Sequence, residues 1–256
     1  MQIEAVLLDM DMTLSRTQNA FDQVWGQARL YLADTLSLPL VQVERQFSQF
    51  LGEGRRVGNV EPVALIGHTM MGFRLAYPNV ANWVWENMAE IMWQVYAQPV
   101  EAYPDVVPAL ETLQQMGYMM GVVTHSKRSW TDFKSTCIGV GPYLKYGRCF
   151  SARTDLAKDM HTWQEGAGFY KFIPETTAVV GDNLEDDAHA ALLAGFGSVC
   201  WLNRIGDSRG FIKDGTPQAG VNVVHGLGEF VILLAERGGF EPPVNLRPHT
   251  ISNRTD

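Results

Sequence analysis

Four apolar residues, Ala5-Val6-Leu7-Leu8, run directly into two carboxylates one residue apart, Asp9 and Asp11, and then a hydroxyl, Thr13. A short apolar run bounded this way reads as a strand buried on both faces, the kind found inside a parallel sheet. Open α/β sheets bind ligands outside the carboxyl ends of their strands. Asp9 and Asp11 therefore stand at the mouth of a site. In an extended strand, residues i and i+2 point to the same side, so the two acids repel each other unless something positive lies between them. A divalent cation with oxygen ligands resolves that repulsion. Two solvated acids at a strand end are the plain alternative.

The remaining features narrow the class. At 256 residues the chain has room for one large domain or two modest ones. Its net charge of -8 gives no support for a nucleic-acid or anionic-membrane partner. Cys137, Cys149 and Cys200 are odd in number and widely spaced, with no zinc pattern and no disulfide framework. A reducing cytoplasm fits them best. No basic stretch leads into a long apolar run at the start, and no run reaches the ~20 apolar residues of a membrane span, so neither a signal peptide nor a span is expected.

After Thr13 the pattern changes. Phe21, Val24, Trp25, Ala28, Leu32 and Leu36 recur at helical spacing. Pro39 fits the first turn of a second helix, with Val43, Phe47, Phe50 and Leu51 on one face, and Gly52-Glu53-Gly54 is expected to end it. Arg55 and Arg56 then fall in a glycine-flanked basic loop before a third helix over 61–75 and a fourth over 82–97. The tryptophans and methionines of this stretch read as core. Strand-helix alternation resumes near Tyr103. Strands are expected over 119–123, 148–151, 177–180, 198–202 and 221–224, with helices over 104–116, 127–134, 156–166, 188–194 and 227–236. The picture is an α/β fold: a Rossmann-like parallel sheet core over 1–16 and 99–237, and a small all-helical cap over 17–98. From Gly238 the chain reads as a disordered tail over 238–256.

Three strands end in polar groups: Asp9 and Asp11 on the first, Thr124 and Ser126 on the second, Asp182 and its followers on a later one. Lys158 opens a helix between the last two. Carboxylates for a metal, a hydroxyl and a lysine for an anion, and a spare carboxylate suit phosphoryl transfer, where positioning and charge neutralisation dominate. The order Asp9-x-Asp11-x-Thr13, Val122-Val123-Thr124, Lys158, then Val179-Val180-Gly181-Asp182 with a following acid resembles the haloacid dehalogenase-like superfamily over residues 4–202. Its phosphatase branch also carries a helical cap between the first two motifs.

The resemblance implies a magnesium-dependent phosphatase of a small phosphorylated metabolite. Asp9 would attack phosphorus and become an aspartyl phosphate. Asp11 would protonate the leaving oxygen and then activate water. Asp9, the backbone carbonyl of Asp11, and Asp182 would hold Mg2+, with support from Asp187 or Asp186; counting back from Ala194-Gly195 favours Asp187. Thr124 would hydrogen-bond the phosphoryl oxygens, and Lys158 would neutralise charge there, with Lys145 and Lys171 as rivals. Thr13, His125 and Ser126 stand beside these groups as substrate-binding candidates. Arg55 or Arg56, on a mobile loop, would pair with a second anionic group of the substrate; a solvated basic turn is the bland alternative. Three departures from the family pattern stand out: Met12 for a common glycine, His125 for asparagine, and Asp159 for proline. A phosphomutase or 2-haloacid dehalogenase on the same fold, or a non-catalytic binding protein, are the rival readings.

Overall fold

A computed structural model describes residues 2–57, 62–152, 157–204 and 215–239. Six parallel strands form one sheet in the order β3-β2-β1-β4-β5-β6: β1 Ala5–Leu8, β2 Met119–Thr124, β3 Phe150–Ser151, β4 Thr177–Gly181, β5 Ser198–Leu202 and β6 Val221–Val224. Every residue of β1, β4 and β5 is buried, which is why they read as continuous apolar runs rather than alternating ones. Their faces still differ. Val6 and Leu8 point into one core with the helices α5 (Val106–Gln115) and α9 (Leu227–Gly238), while Ala5 and Leu7 point into another with α7 (Met160–Tyr170) and α8 (Ala190–Leu193).

Register decides what meets at the sheet's edge. Leu8 pairs with Val122 on β2 and with Val180 on β4. Asp9 is therefore level with Val123 and Gly181, and its N–H donates to the Val180 carbonyl at 3.0 Å. The chain leaves β1 toward β2 and β3, then returns to the other side of β1 as β4. That reversal beside β1 is the switch point where such sheets open a crevice.

Between β1 and α5 the described residues form four helices, α1 Thr17–Thr35, α2 Leu40–Arg56, α3 Pro62–Ala76 and α4 Asn82–Trp93, followed by a 3-10 turn over Gln94–Ala97. Val24, Trp25, Phe47, Phe73, Trp85, Met88 and Met92 pack among them, and this cluster is continuous with the Val6 and Leu8 face of the sheet. Trp25 and Trp85 are thus core, but the expectation for the stretch is corrected at Trp83, Trp93 and Met71, which are exposed. The expected stop at Gly52-Glu53-Gly54 is corrected: α2 runs on to Arg56. Gly54 has a packing reason to be there, because a Cβ would come within 3.2 Å of His68 and Leu65 on α3. Close helix approach therefore outweighs the ~1 kcal/mol a helical glycine costs.

The expected helix over 156–166 is also shifted. Residues 153–156 lie outside the described residues, and α7 starts after Asp159. The Asp159 carboxylate accepts from Thr162 N at 2.8 Å, and Thr162 reaches back to the Asp159 N–H as a capping box. Lys158 therefore precedes the helix. The short helix expected over 127–134 is longer, α6 Arg128–Ile138. The tail beyond residue 239, and Gly58 and Asn59 of the expected basic loop, lie outside the described residues. Among the described residues no helix is long and apolar enough to cross a membrane.

Candidate active site

Three acids meet at the crevice. Asp9 follows β1, Asp182 follows β4, and Asp187 lies on the π-helical turn Leu184–His189, with one carboxylate oxygen from each within 4.8 Å of the others. The local sequence builds this. Asn183 accepts from the N–H groups of Glu185 and Asp186 at 3.1 and 3.2 Å, starting the turn. Its own N–H donates to Asp187 Oδ2 at 2.9 Å. Gly181 leaves the space: a Cβ there would lie 2.6 Å from Cβ of Asp187 and nearer still to its carboxylate. Two indoles hold the loop from outside, Trp201 Nε1 donating to the Asp182 carbonyl and Trp163 Nε1 to the Asp186 carbonyl, each at 2.9 Å.

Lys158 is buried among these acids. Its ammonium pairs with Asp9 Oδ1 and lies 2.5 Å from Asp187 Oδ1. Burial alone would lower its pKa, but the charges of Asp187 and Asp9 outweigh that and hold it protonated. One ammonium does not balance three carboxylates. Burial, then the charge of Asp9, pushes Asp182 well above the usual carboxylate range. Burial likewise raises Asp187 to about 7, against the pull of Lys158. With all three acids ionised, two negative charges would be uncompensated, and such a set of hard oxygen donors fits one divalent cation.

Asp11 belongs to a separate arrangement. Lys134, inside α6, places its ammonium 2.5 and 2.7 Å from the two Asp11 oxygens and 2.9 Å from Ser126 Oγ. Thr17 donates to Asp11 Oδ1 at 2.5 Å and Ser126 to Oδ2 at 2.7 Å. Burial raises the Asp11 pKa, but the Lys134 charge and these three donors outweigh it and hold the carboxyl well below its usual range. The turn after it carries strain. Met12 has φ +61°, a left-handed conformation costing a non-glycine residue about 1–2 kcal/mol. Arg204 braces that turn: its guanidinium forks onto both Asp105 oxygens at 3.1 and 3.0 Å, donates to the Thr13 carbonyl at 2.9 Å, and lies 3.9 Å over the Tyr103 ring.

A cavity of about 110 Å³ opens above Asp11. Its wall combines His125 and Ser126 from the core, Gln18 and Phe21 from α1, Pro62 from α3, and Trp130 from α6. His125 Nδ1 is buried without a hydrogen-bond partner. Burial, then the nearby Lys158 charge, lowers the His125 pKa, so the ring is neutral near pH 7.

The predicted residues sort accordingly. Asp9, Asp182, Asp187 and Lys158 converge. Thr124 ends β2 with its Oγ1 accepting from Ser126 N at 3.2 Å, which leaves its O–H as a donor. Thr13 turns away from the cavity and donates to Asp182 Oδ1 at 3.4 Å. Asp186 is corrected: Asn183 Nδ2 holds its carboxylate at 2.6 Å, and it lies outside the three-acid group. Arg55 and Arg56 are corrected as loop residues. They occupy the exposed last turn of α2 and are not on the cavity wall. Lys145 lies 4.8 Å over the Phe172 ring, and Lys171 caps α7, so neither rivals Lys158. Lys134 and Arg204 went unread in the sequence. Lys134 did leave a signal, a lysine one turn from Trp130 and one turn from Ile138 on the buried stripe of α6.

A family model described as a haloacid dehalogenase-like hydrolase matches residues 3–195. The chain belongs to the haloacid dehalogenase-like hydrolases. No curated protein matches the sequence. Solved structures share the fold at low identity. A HAD phosphatase from Thermococcus onnurineus is 20% identical with a TM-score of 0.64, over 94% of this chain and 100% of its own. The putative HAD-hydrolase YfnB from Bacillus subtilis, bound to magnesium, is 17% identical with a TM-score of 0.67, over 91% and 99%. A 2-haloacid dehalogenase from Pseudomonas syringae is 21% identical with a TM-score of 0.57, over 92% and 99%. This hydrolase therefore shares its architecture with enzymes of two chemistries, and its own residues must decide between them.

Proposed function

We propose that this hydrolase is a magnesium-dependent phosphatase of small phosphate monoesters, working through an aspartyl phosphate on Asp9. The observation that carries the reading is the separation of its acids. Three carboxylates and Lys158 form one group with two charges to spare when all are ionised, while Asp11 stands apart at the cavity with its own lysine. Displacing halide from carbon needs no proton for the leaving group, so a haloacid dehalogenase would have no use for that second arrangement.

Asp9, Asp182, Asp187 and the backbone carbonyl of Asp11 would hold Mg2+. The bound ion supplies charge neutralisation, allowing one anion to approach another. An Asp9 oxygen attacks phosphorus as the ester P–O bond breaks, and Asp11, ionised in the free site, takes the proton of the entering phosphate monoanion and delivers it to the departing alkoxide. Water then attacks the same phosphorus, its proton passes to Asp11, and the bond to Asp9 breaks. Lys158 holds Asp9 in place, and the Thr124 hydroxyl donates to a phosphoryl oxygen. A phosphorylated metabolite is the expected partner, and the three free thiols suit a reducing cytoplasm.

The test is inorganic phosphate release from a panel of phosphorylated metabolites at fixed magnesium. Release that stops on chelation and returns with magnesium supports the reading. Full activity after exhaustive chelation contradicts it.

A further inference from the structure

Lys134 is a charged residue with no exposed side-chain surface. Withdrawing an ammonium from water costs several kcal/mol unless something compensates. A methionine of similar length would fill the same space on the buried stripe of α6 without that cost. The charge therefore has a target, and its geometry identifies it. The ammonium lies 4.0 Å above the Trp130 ring, touches Ser126 Oγ, and spans both oxygens of Asp11.

We propose that Lys134 is a positioning residue for the acid–base step, holding the Asp11 carboxylate on the leaving-group side of the site. The inference rests on the phosphatase reading and deepens it. Asp11 follows Asp9 by two residues and shares its end of the sheet with two further acids and Lys158. Without a partner of its own, its carboxylate would meet net like-charge repulsion from that group. Lys134 supplies the opposing attraction from α6. Thr17 fixes one oxygen from the first residue of α1, and Ser126 fixes the other from the loop after β2. Three separate elements thus set one carboxylate orientation, while 23% of the Asp11 side chain stays open at the cavity rim. Lys134 itself does not line the cavity; it acts through Asp11.

A double-mutant cycle on kcat for an alkyl phosphate tests this, using wild type, Lys134→Met, Asp11→Asn and the double variant. General acid–base catalysis contributes roughly 100- to 10,000-fold, so Lys134→Met should lower kcat by about 100-fold while KM changes by less than about two-fold. Residues acting as one unit are non-additive. In the Asp11→Asn background the same substitution should therefore cost almost nothing further. If Lys134→Met does not fold, Lys134→Gln, which keeps a neutral donor, takes its place in the cycle. Equal losses in both backgrounds, or a loss confined to thermal stability or KM, would overturn the proposal alone. A wild-type protein that releases no phosphate would instead overturn the phosphatase reading, and this proposal with it.

Discussion

Gly181→Ala should disable the site without touching a reacting group. Gly181 is the last residue of β4, in ordinary extended backbone, so alanine meets no φ penalty there. The obstacle is Asp187: a Cβ at 181 would sit 2.6 Å from the Asp187 Cβ, well inside van der Waals contact. The acid cannot escape by rotating, because its own Cβ is too near; the turn over Leu184–His189 has to move. Overpacking of this kind costs about 1–3 kcal/mol. Alanine recovers about 0.5–1 kcal/mol by restricting the unfolded backbone. The net loss is about 1 kcal/mol, which for a chain of this size lowers Tm by about 2–4 °C. Function should suffer more. Displacing Asp187 breaks its 2.5 Å contact with Lys158 and spreads the three-acid group, and a misplacement of about 1 Å can cost roughly 100-fold in rate. Thermal unfolding followed by circular dichroism, with phosphate release titrated against magnesium, measures both. A variant with wild-type Tm, turnover and magnesium dependence would refute the reasoning that Gly181 makes room for Asp187.

Asp9→Asn should abolish phosphate release, because an amide is a poor nucleophile, and Asp11→Asn should slow it by about 100- to 10,000-fold; near-normal turnover in the first would end the covalent mechanism. The metal-free protein should lose thermal stability as pH rises from 5 to 8. Asp187 has a folded pKa raised to about 7, so its stabilisation is fully present below the ordinary carboxylate value and is lost as pH passes through 7. Magnesium should therefore raise Tm more at pH 8 than at pH 5, and equal shifts at both would contradict the three-acid site. Among the described residues no cation lines the cavity, whose wall is apolar or neutral apart from Asp11. Compared as substrates, 2-hydroxyethyl phosphate should show a higher kcat/KM than phosphoglycolate, and a preference for the carboxylate would return Arg55 or Arg56 to the site.

Much of this was legible because it is carried by local pattern. Central parallel strands are buried on both sides, so β1, β4 and β5 announce themselves as apolar runs, and the acids that follow β1 and β4 mark their ends. Asp9, Asp182 and Lys158 follow from that logic together with the family resemblance. Other features depend on distances between separate segments. The choice between Asp186 and Asp187 turns on a π-helical turn and on a missing Cβ at Gly181, neither visible in a one-dimensional pattern. Arg204 reaches Asp105 and Thr13 across the fold, so nothing near it in the chain marks it. Gly52 and Gly54 misled because glycine both ends helices and lets them approach, and here packing against α3 decided. Lys134 was hidden by a sound habit, that lysines belong on surfaces; only its position on the inward stripe of α6 argued otherwise.

The central claim is that Asp9 receives a phosphoryl group rather than a carbon. The direct measurement runs wild type and Asp9→Asn side by side on an aryl phosphate and on 2-chloropropionate, with and without magnesium, reading phosphate and chloride. The account predicts phosphate release by wild type with magnesium, none by Asp9→Asn, and no chloride under any condition. Chloride release that persists after chelation and disappears in Asp9→Asn, with no phosphate released, would contradict it and make this chain a dehalogenase.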